Sequence, residues 1–448
     1  MNTNTKRAET LKVICLGLSY VFSYAYINLF SLSSSHNRLA VTIYLSALCA
    51  GAILWLELSM RQLQLSGRFS PTPIQKIEPR FWEAILLLLA ISTYNGSLCG
   101  LSLFFIHMVV IYMVQVGTGH LLTDRSSCLM PMDLTNGCFR LTFGNIGTRF
   151  CTVAECLRRC TAPAALSSGN SSETSGSITN DTTCTEKRKP GHICGIIGIL
   201  FFIFIIFNIA LSNLASVDKN FSYALFSIDQ FWEQISISES MIKFLFSLPV
   251  GAFLFGLYQG CVNKDNEQEA EFHNKLLAHS TKLRIMPDKL FAAVMSAFIA
   301  VYLAFYVSQA SYMFSAFAGV LPEAFTASEY AVSGFHELIN VVIINFILLS
   351  LVRIFGSKDN RLLHILSIVL MAESMVFAAI SASKIILYMS RFGYTVSRTL
   401  GLWGTSVVFV GAALAIVYLV TRKRTFAPWL WYASASYVIM EFISWAFV

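Results

Sequence analysis

Long apolar runs separated by short polar segments make up the chain from residue 11 to its last residue. A helix needs roughly 20 apolar residues to cross a hydrocarbon core about 30 Å thick. Strands that cross a membrane instead alternate apolar and polar side chains, whereas the run at 196–211 is apolar on every side. The pattern therefore predicts an all-α fold, a polytopic transmembrane helix bundle.

The number of spans follows from the number of apolar runs. The first run is not followed by a convincing small-residue cleavage site, so we interpret it as a retained helix. The third run is short, and it begins at the interfacial aromatic pair Phe81-Trp82. We expect about 11 spans, at residues 11–30, 39–60, 81–95, 98–117, 194–215, 242–262, 290–314, 331–352, 362–388, 400–420 and 428–448.

The orientation of the bundle follows from the positions of its cations, because loops rich in Lys and Arg stay in the cytoplasm. With the N-terminus inside, the inner segments hold 26 of the 32 Lys and Arg residues. The outer segment at 315–330 holds none. We therefore predict a cytoplasmic N-terminus and, with about 11 spans, a C-terminus on the outer side.

The composition agrees with a membrane protein. Hydrophobic residues make up 55% of the chain and charged residues 13%, whereas about a quarter of the residues of a soluble domain are charged. This excludes an ordinary water-soluble enzyme, and the lack of a Walker motif excludes ATP hydrolysis by this chain. We predict the lipid bilayer as a partner, with no nucleic acid and no cofactor.

The spans divide the chain into a four-span region at 1–117, a cytoplasmic loop at 118–192 and a seven-span region at 193–448. The Ser/Thr-rich second part of the loop is too polar to form a core, so we expect disorder there. The first part, to about residue 160, is either an amphipathic segment on the inner membrane surface or a solvated loop. Cysteines are frequent in the loop but form no C-x-x-C pair, so we predict no metal site.

Ionisable residues inside spans are the best candidates for function, since each costs a few kcal/mol at the bilayer centre. Asn340 lies three and four residues after Glu337 and His336, so the three share one helix face. Glu373 and Lys384 also share a face, but about 16 Å apart along the helix, which is too far for a direct pair. Glu337 is therefore the best candidate partner of Lys384. Interhelical packing and a proton-linked or ligand-binding site both remain open for these residues.

Two blocks of sequence resemble the bacterial membrane proteins called domain of unknown function 4173, which is close to 4153. The first block comprises 309–314, 328–331 and 334–338, and the second comprises 381–388 and 392–398. The similarity covers about residues 195–421, and the chain departs from the pattern where paired arginines become Val332 and Ser333. The resemblance implies a multi-pass protein of the bacterial cytoplasmic membrane, and it brings no established activity.

These residues lead to a first hypothesis: the protein binds or translocates a small or anionic ligand. The ligand would use an outward-facing polar cavity between the seventh, eighth and ninth spans. Lys384, Arg391 and Arg398 would attract the anion and Glu337 would balance the charge. The alternatives are a membrane-embedded enzyme that acts on a lipid-linked substrate and a non-catalytic structural or regulatory subunit. The candidate ligand-binding residues are Gln309, Tyr330, His336, Glu337, Asn340, Glu373, Lys384, Tyr388, Arg391 and Arg398.

Overall fold

The fold is described by a computed structural model, and every regular element in the described part of the chain is a helix. The structure describes residues 3–33, 37–65, 73–94, 100–123, 125–161, 239–262, 287–310, 315–318, 327–357 and 360–446. The predicted all-helical fold is confirmed for these residues. The expected span at 194–215 and the polar part of the long loop lie outside them.

The helices are numbered in chain order. They are α1 (Thr3–Ser33), α2 (Arg38–Leu65), α3 (Pro73–Ser92), α4 (Gly100–Thr118), α5 (Met130–Thr135), α6 (Thr142–Asn145), α7 (Gly147–Thr161), α8 (Glu239–Val262), α9 (Asp288–Ser308), α10 (Ala327–Phe355), α11 (Arg361–Phe392), α12 (Val396–Thr421) and α13 (Phe426–Ala446). A π-helical turn, Asn136–Leu141, joins α5 to α6, and a 3₁₀ turn, Ser315–Ala318, lies between α9 and α10.

Seven helices in the described ranges are long and apolar enough to cross a membrane. They lie in α1, α2, α8, α9, α10, α11 and α12, and α4 contains a shorter apolar helix, Ser102–Thr118. Helix α3 carries Lys76, Glu78, Arg80 and Glu83, which make its first half too polar to count. Helix α13 has a suitable length, but its serines and Glu441 reduce its hydropathy. Seven helices therefore support a membrane protein, and the expected count of 11 stays a prediction.

The chain divides into two compact units. Unit 1 comprises Met1–Ile91, Gly100–Leu121 and Met130–Lys264, and these ranges contain helices α1 to α8. Its core includes Cys15 of α1, Trp55 of α2, and Phe255 and Tyr258 of α8. Tyr258 also donates a hydrogen bond to the side-chain carbonyl of Gln62. Aromatic and aliphatic side chains thus hold three candidate spans together.

The first part of the long loop is helical and packs against α8. A methyl group added at Gly256 would lie 2.6 Å from the carbonyl oxygen of Thr142, and one at Gly260 would lie 2.5 Å from that of Leu141. Two backbones can approach this closely only where the side chain is a hydrogen atom. This packing excludes a freely solvated loop over 141–146, whereas the side of the membrane on which it lies remains a prediction.

Arg149 of α7 is only 3% exposed, and its side chain reaches α8 and α1. Its Nη1 donates a hydrogen bond of 2.7 Å to the carbonyl oxygen of Leu248, and its guanidinium lies 4.0 Å from the ring centroid of Tyr20. Burial lowers the pKa of Arg149, and the nearby Tyr20 side chain opposes that shift. Arg149 therefore fastens the loop segment to α1 and α8.

Two polar groups in the apolar helices of unit 1, Glu57 and His107, have protein partners. Arg80 of α3 lies 2.5 Å from a carboxylate oxygen of Glu57 and 2.8 Å from one of Glu83. His107 of α4 and the hydroxyl of Tyr26 of α1 are 2.8 Å apart. Pairing of this kind removes much of the cost of a polar group in hydrocarbon, so a packing role accounts for Glu57 and His107.

Unit 2 contains α9 to α13, and α11 lies at its centre, packed against α9, α10 and α12. The core includes Met295 of α9, Val342 of α10, Leu370 and Phe377 of α11, and Leu419 of α12. Most of the candidate site residues lie on α10 and α11, so this unit positions the site.

The ends of α11 are fixed by local hydrogen bonds. The side-chain oxygen of Asn360 accepts from the backbone amides of Leu362 and Leu363, which caps the N-terminus. The chain leaves the other end through Gly393, whose φ of 76° is a conformation that glycine adopts without strain. These caps determine where the polar residues of α11 lie along the bundle.

Candidate functional site

Glu373 of α11 is the buried acidic residue for which the described part of unit 2 supplies no partner. It is 7% exposed, and both oxygens of its side chain lack a hydrogen-bond partner among the described residues. A buried ionised carboxylate without a partner costs several kcal/mol. A group retained under that cost is a candidate for function, as the sequence analysis expected for Glu373.

A chain of hydrogen bonds runs beside Glu373 and connects three helices. The hydroxyl of Tyr302 in α9 donates to Oδ1 of Asn345 in α10 at 2.7 Å, and Nδ2 of Asn345 donates to the hydroxyl of Ser374 in α11 at 2.9 Å. Ser374 in turn donates to the carbonyl oxygen of Leu370 at 2.8 Å. Polar groups of α9, α10 and α11 therefore form one continuous buried network.

Two tyrosines of α9 are electrostatic neighbours of the Glu373 side chain. Tyr302 and Tyr306 of α9 both interact with its charge, and the Tyr306 hydroxyl lies 3.4 Å from the Glu373 carbonyl oxygen. The two rings pack on Phe377, with centroids 5.1 Å and 5.0 Å away. Such a carboxyl group can hold a proton or a small cation. A nearby hydroxyl group can donate a hydrogen bond to the carboxylate, accept one from the protonated carboxyl group, or offer an oxygen ligand to the cation.

Sequence reasoning missed Tyr302, Tyr306, Asn345 and Ser374. Tyrosine and serine are common in membrane helices, and a serine that bonds to its own helix carries no signal. Asn345 offered the clearest signal, since it interrupts the apolar run VVIINFILL in the middle of α10. An amide in mid-span needs partners on neighbouring helices, and here it has one on each side.

Lys384 lies on the same helix as Glu373 and is 1% exposed. Its ammonium group interacts electrostatically with Glu337 of α10. The sequence analysis named Glu337 as the best partner of Lys384, and a direct ion pair between them stays a prediction. Glu337 itself is exposed on the surface of unit 2.

Tyr388 and Arg398 meet at the turn between α11 and α12. The Arg398 guanidinium lies 4.2 Å from the Tyr388 ring centroid, and its Nη1 donates to the carbonyl oxygens of Phe392 at 3.0 Å and Gly393 at 2.7 Å. A cation that satisfies the last carbonyls of a helix stabilises its C-terminus. The geometry therefore assigns Arg398 a capping role, while Arg391 is exposed nearby.

Three of the remaining predicted residues are exposed, and one lies partly outside the described part of the chain. Gln309, His336 and Asn340 are exposed on unit 2, and the side chain of Tyr330 lies outside the described part. The described side chains of the predicted residues thus divide into the buried Glu373, the buried Lys384 and the exposed Glu337, the turn residues Tyr388, Arg391 and Arg398, and the exposed Gln309, His336 and Asn340. Within the described ranges, no group of three or more His, Cys, Asp or Glu residues is placed to hold a metal ion.

A cavity of about 630 Å³ lies elsewhere in unit 2, between α11, α12 and α13. None of the ten predicted residues is among those that line it. A hydrogen-bonded network lies beside Glu373, whereas this cavity lies on another side of α11. The polar cavity expected between the seventh, eighth and ninth spans stays a prediction.

A family model described as Domain of unknown function (DUF4153) matches residues 81–448. The chain belongs to this family. The sequence resemblance named domain 4173 as the nearest pattern, and the match corrects this to the related DUF4153. The match also begins at residue 81, well before the stretch that carried the resemblance. No curated protein and no solved structure matches the chain at a significant level.

The DUF4153 match covers the helices that form the Glu373 network as well as most of unit 1. A family of unknown function assigns no role to any residue, so the argument for function rests on the site itself. Within the described part of this DUF4153 protein, hydrogen bonding does not account for the buried carboxyl group of Glu373, because the neighbouring hydrogen bonds are complete without it.

Proposed function

We propose that this membrane protein binds or translocates a small ligand through unit 2, with Glu373 as a group that gains and loses a proton during the cycle. The observation that carries the proposal is the buried Glu373 side chain without a partner among the described residues, beside the Tyr302–Asn345–Ser374 network. Buried acidic residues in membrane helices commonly serve proton relays and ion pathways.

The remaining charges support a small anion as the ligand. Lys384 and Arg391 follow Glu373 on α11 toward the turn with α12, and they give this end of the helix positive charge. An anion attracted to this end would approach Glu373 along the same helix. Protonation of Glu373 removes the negative charge that would repel it, which links ligand binding to proton uptake.

The finer topology belongs to the same proposal. We propose about 11 spans in a bacterial cytoplasmic membrane, with the N-terminus inside and the C-terminus outside. Helices α3, α4 and α13 coincide with three of the four expected spans that are not among the seven candidate helices, and the fourth, 194–215, lies outside the described residues. The cation distribution supports the orientation, and it makes the turn between α11 and α12 external.

Infrared difference spectroscopy of purified protein tests whether Glu373 titrates. We expect acidification to produce a protonated-carboxyl band that is absent from Glu373→Gln, because the amide has the same shape but cannot take up a proton. Glu441→Gln, which changes an intramembrane carboxyl group on α13, should retain the band. A spectrum in which Glu373→Gln matches the wild type would show that Glu373 does not titrate and would end the proposal.

Cysteine labelling in intact cells tests the orientation. Tyr394, in the turn before α12, and Lys423, in the turn after it, are both exposed. We expect a membrane-impermeant maleimide to label Tyr394→Cys and to leave Lys423→Cys unlabelled until the cells are opened, since the two turns flank one span. The unchanged protein provides the background of its native cysteines. The reverse labelling pattern would invert the proposed topology.

A further inference from the structure

The cavity between α11, α12 and α13 has a wall made largely of hydrocarbon. Its volume is about 630 Å³, within the 300–1,000 Å³ typical of ligand pockets. Small side chains of α11 create the space, and larger ones of α12 close it. Apolar residues that line it include Ala378, Ala382, Ile386, Leu402, Phe409 and Val410.

Four serine and threonine residues also line the cavity, but each hydroxyl group already donates to its own helix. Ser383 bonds to the carbonyl oxygen of Ile380 and Ser390 to that of Leu387, both on α11. On α12, Thr405 bonds to the carbonyl oxygen of Gly401 and Ser406 to that of Trp403. Because these four donors are occupied and the other lining residues apart from Tyr432 are apolar, the wall favours an apolar occupant.

The dimensions of the cavity match one leaflet of a bilayer. Its lining residues on α11 run from Ala378 to Ser390, which is about 18 Å at the helical rise of 1.5 Å per residue. Half of the hydrocarbon core is about 15 Å. Since α11 and α12 are candidate membrane spans, the medium around them is lipid, and an acyl chain that entered from one leaflet would fill this length.

The end of the cavity at Ser390 adjoins a positively charged turn. The segment 390–398 contains Arg391 and Arg398 and no acidic residue. Arg398 lies four residues before the lining residue Leu402 on α12 and bonds to backbone carbonyls of this turn, and Arg391 is exposed in the last turn of α11. A negatively charged head group placed above a chain in the cavity would therefore lie close to opposite charge.

From these observations we propose that the cavity is a binding site for one acyl chain of an anionic phospholipid whose phosphate group lies at the positively charged turn of Arg391 and Arg398. An acyl chain matches the apolar wall and the length of the cavity, and a phosphate group matches the positive charge at its end. This site is separate from Glu373 and goes beyond the proposed function.

Photo-crosslinking in nanodiscs tests the site with a defined probe, a phosphatidylglycerol that carries a diazirine in its acyl chain. We expect crosslinks on α11 and α12 at cavity residues, reduced about tenfold or more in Ala382→Phe, because the added ring occupies the space of the chain. Ala372→Phe is the matched control, since Ala372 is exposed on the same helix and does not line the cavity. Leu402→Trp fills the opposite wall and serves if Ala382→Phe does not fold.

The head group is tested in the same experiment. Unlabelled phosphatidylglycerol should compete with the probe more strongly than phosphatidylcholine, and Arg391→Gln should remove that difference. Crosslinking that both filling variants leave unchanged, or equal competition by the two lipids, would overturn the site. Glu373→Gln should crosslink like the wild type, so a failure here is distinguishable from a failure of the proton site.

Discussion

Glu373→Gln should reduce proton flux through the protein in proteoliposomes by about tenfold or more, since the amide removes the one group at the site proposed to carry the proton. The wild type should acidify or alkalise the lumen when a pH gradient and a permeant anion are applied, as reported by an internal pH-sensitive dye. The size of the loss follows from the position of Glu373, because no other described carboxyl group contacts the Tyr302–Asn345–Ser374 network.

The folded state should survive this substitution. The three hydrogen bonds of the network do not use the Glu373 side chain, and replacement of an unpartnered buried acid by a neutral isostere is neutral or stabilising. Glu441→Gln, reconstituted at the same protein-to-lipid ratio, is the control for flux. Flux by Glu373→Gln equal to that of the wild type, at equal folded yield, would leave the buried acid without the role proposed for it.

Gly260→Ala should destabilise unit 1 by about 1–3 kcal/mol, the usual cost of forcing extra volume into a packed contact. Its new methyl group would lie 2.5 Å from a backbone carbonyl oxygen of Leu141, and backbone cannot rotate out of the way as a side chain can. Gly256→Ala should behave alike, because its methyl group would meet the carbonyl oxygen of Thr142. The unfolding midpoint in detergent measures both effects.

Gly17→Ala is the matched control for these two variants. Gly17 lies on α1 in the same unit, and a methyl group there has no neighbour within 4 Å. Alanine favours helix over glycine by about 1 kcal/mol, so the control should be as stable as the wild type or more so. If Gly260→Ala is also as stable as the wild type, the segment 141–146 does not pack on α8 as described.

The membrane character of the fold could be predicted from sequence because it depends on a strong local property. A run such as 362–388 is apolar over enough residues that few other structures are possible in a bilayer. The helical packing of 141–149 could not be predicted in the same way. It depends on Gly256 and Gly260, more than 100 residues further along the chain, and on Arg149 reaching Leu248.

The candidate site shows the same division between local and distant information. Glu373 could be predicted because a single acidic residue in an apolar run is unusual. The network beside it could not, because Tyr302 and Asn345 become informative only once α9 and α10 are known to be neighbours. The sequence placed Arg398 among ligand-binding residues, whereas its bonds to Phe392 and Gly393 depend on the turn that follows α11.

Helix α11 separates two very different surroundings. At about 100° per residue, Glu373, Phe377 and Lys384 project from one side of this helix, and Ala382 and Ile386 project from nearly the opposite side. One face of α11 thus adjoins the polar network, and the opposite face lines the apolar cavity. Because the network and the cavity use opposite faces of the same helix and share no side chain, each can be altered by a substitution that leaves the residues of the other in place.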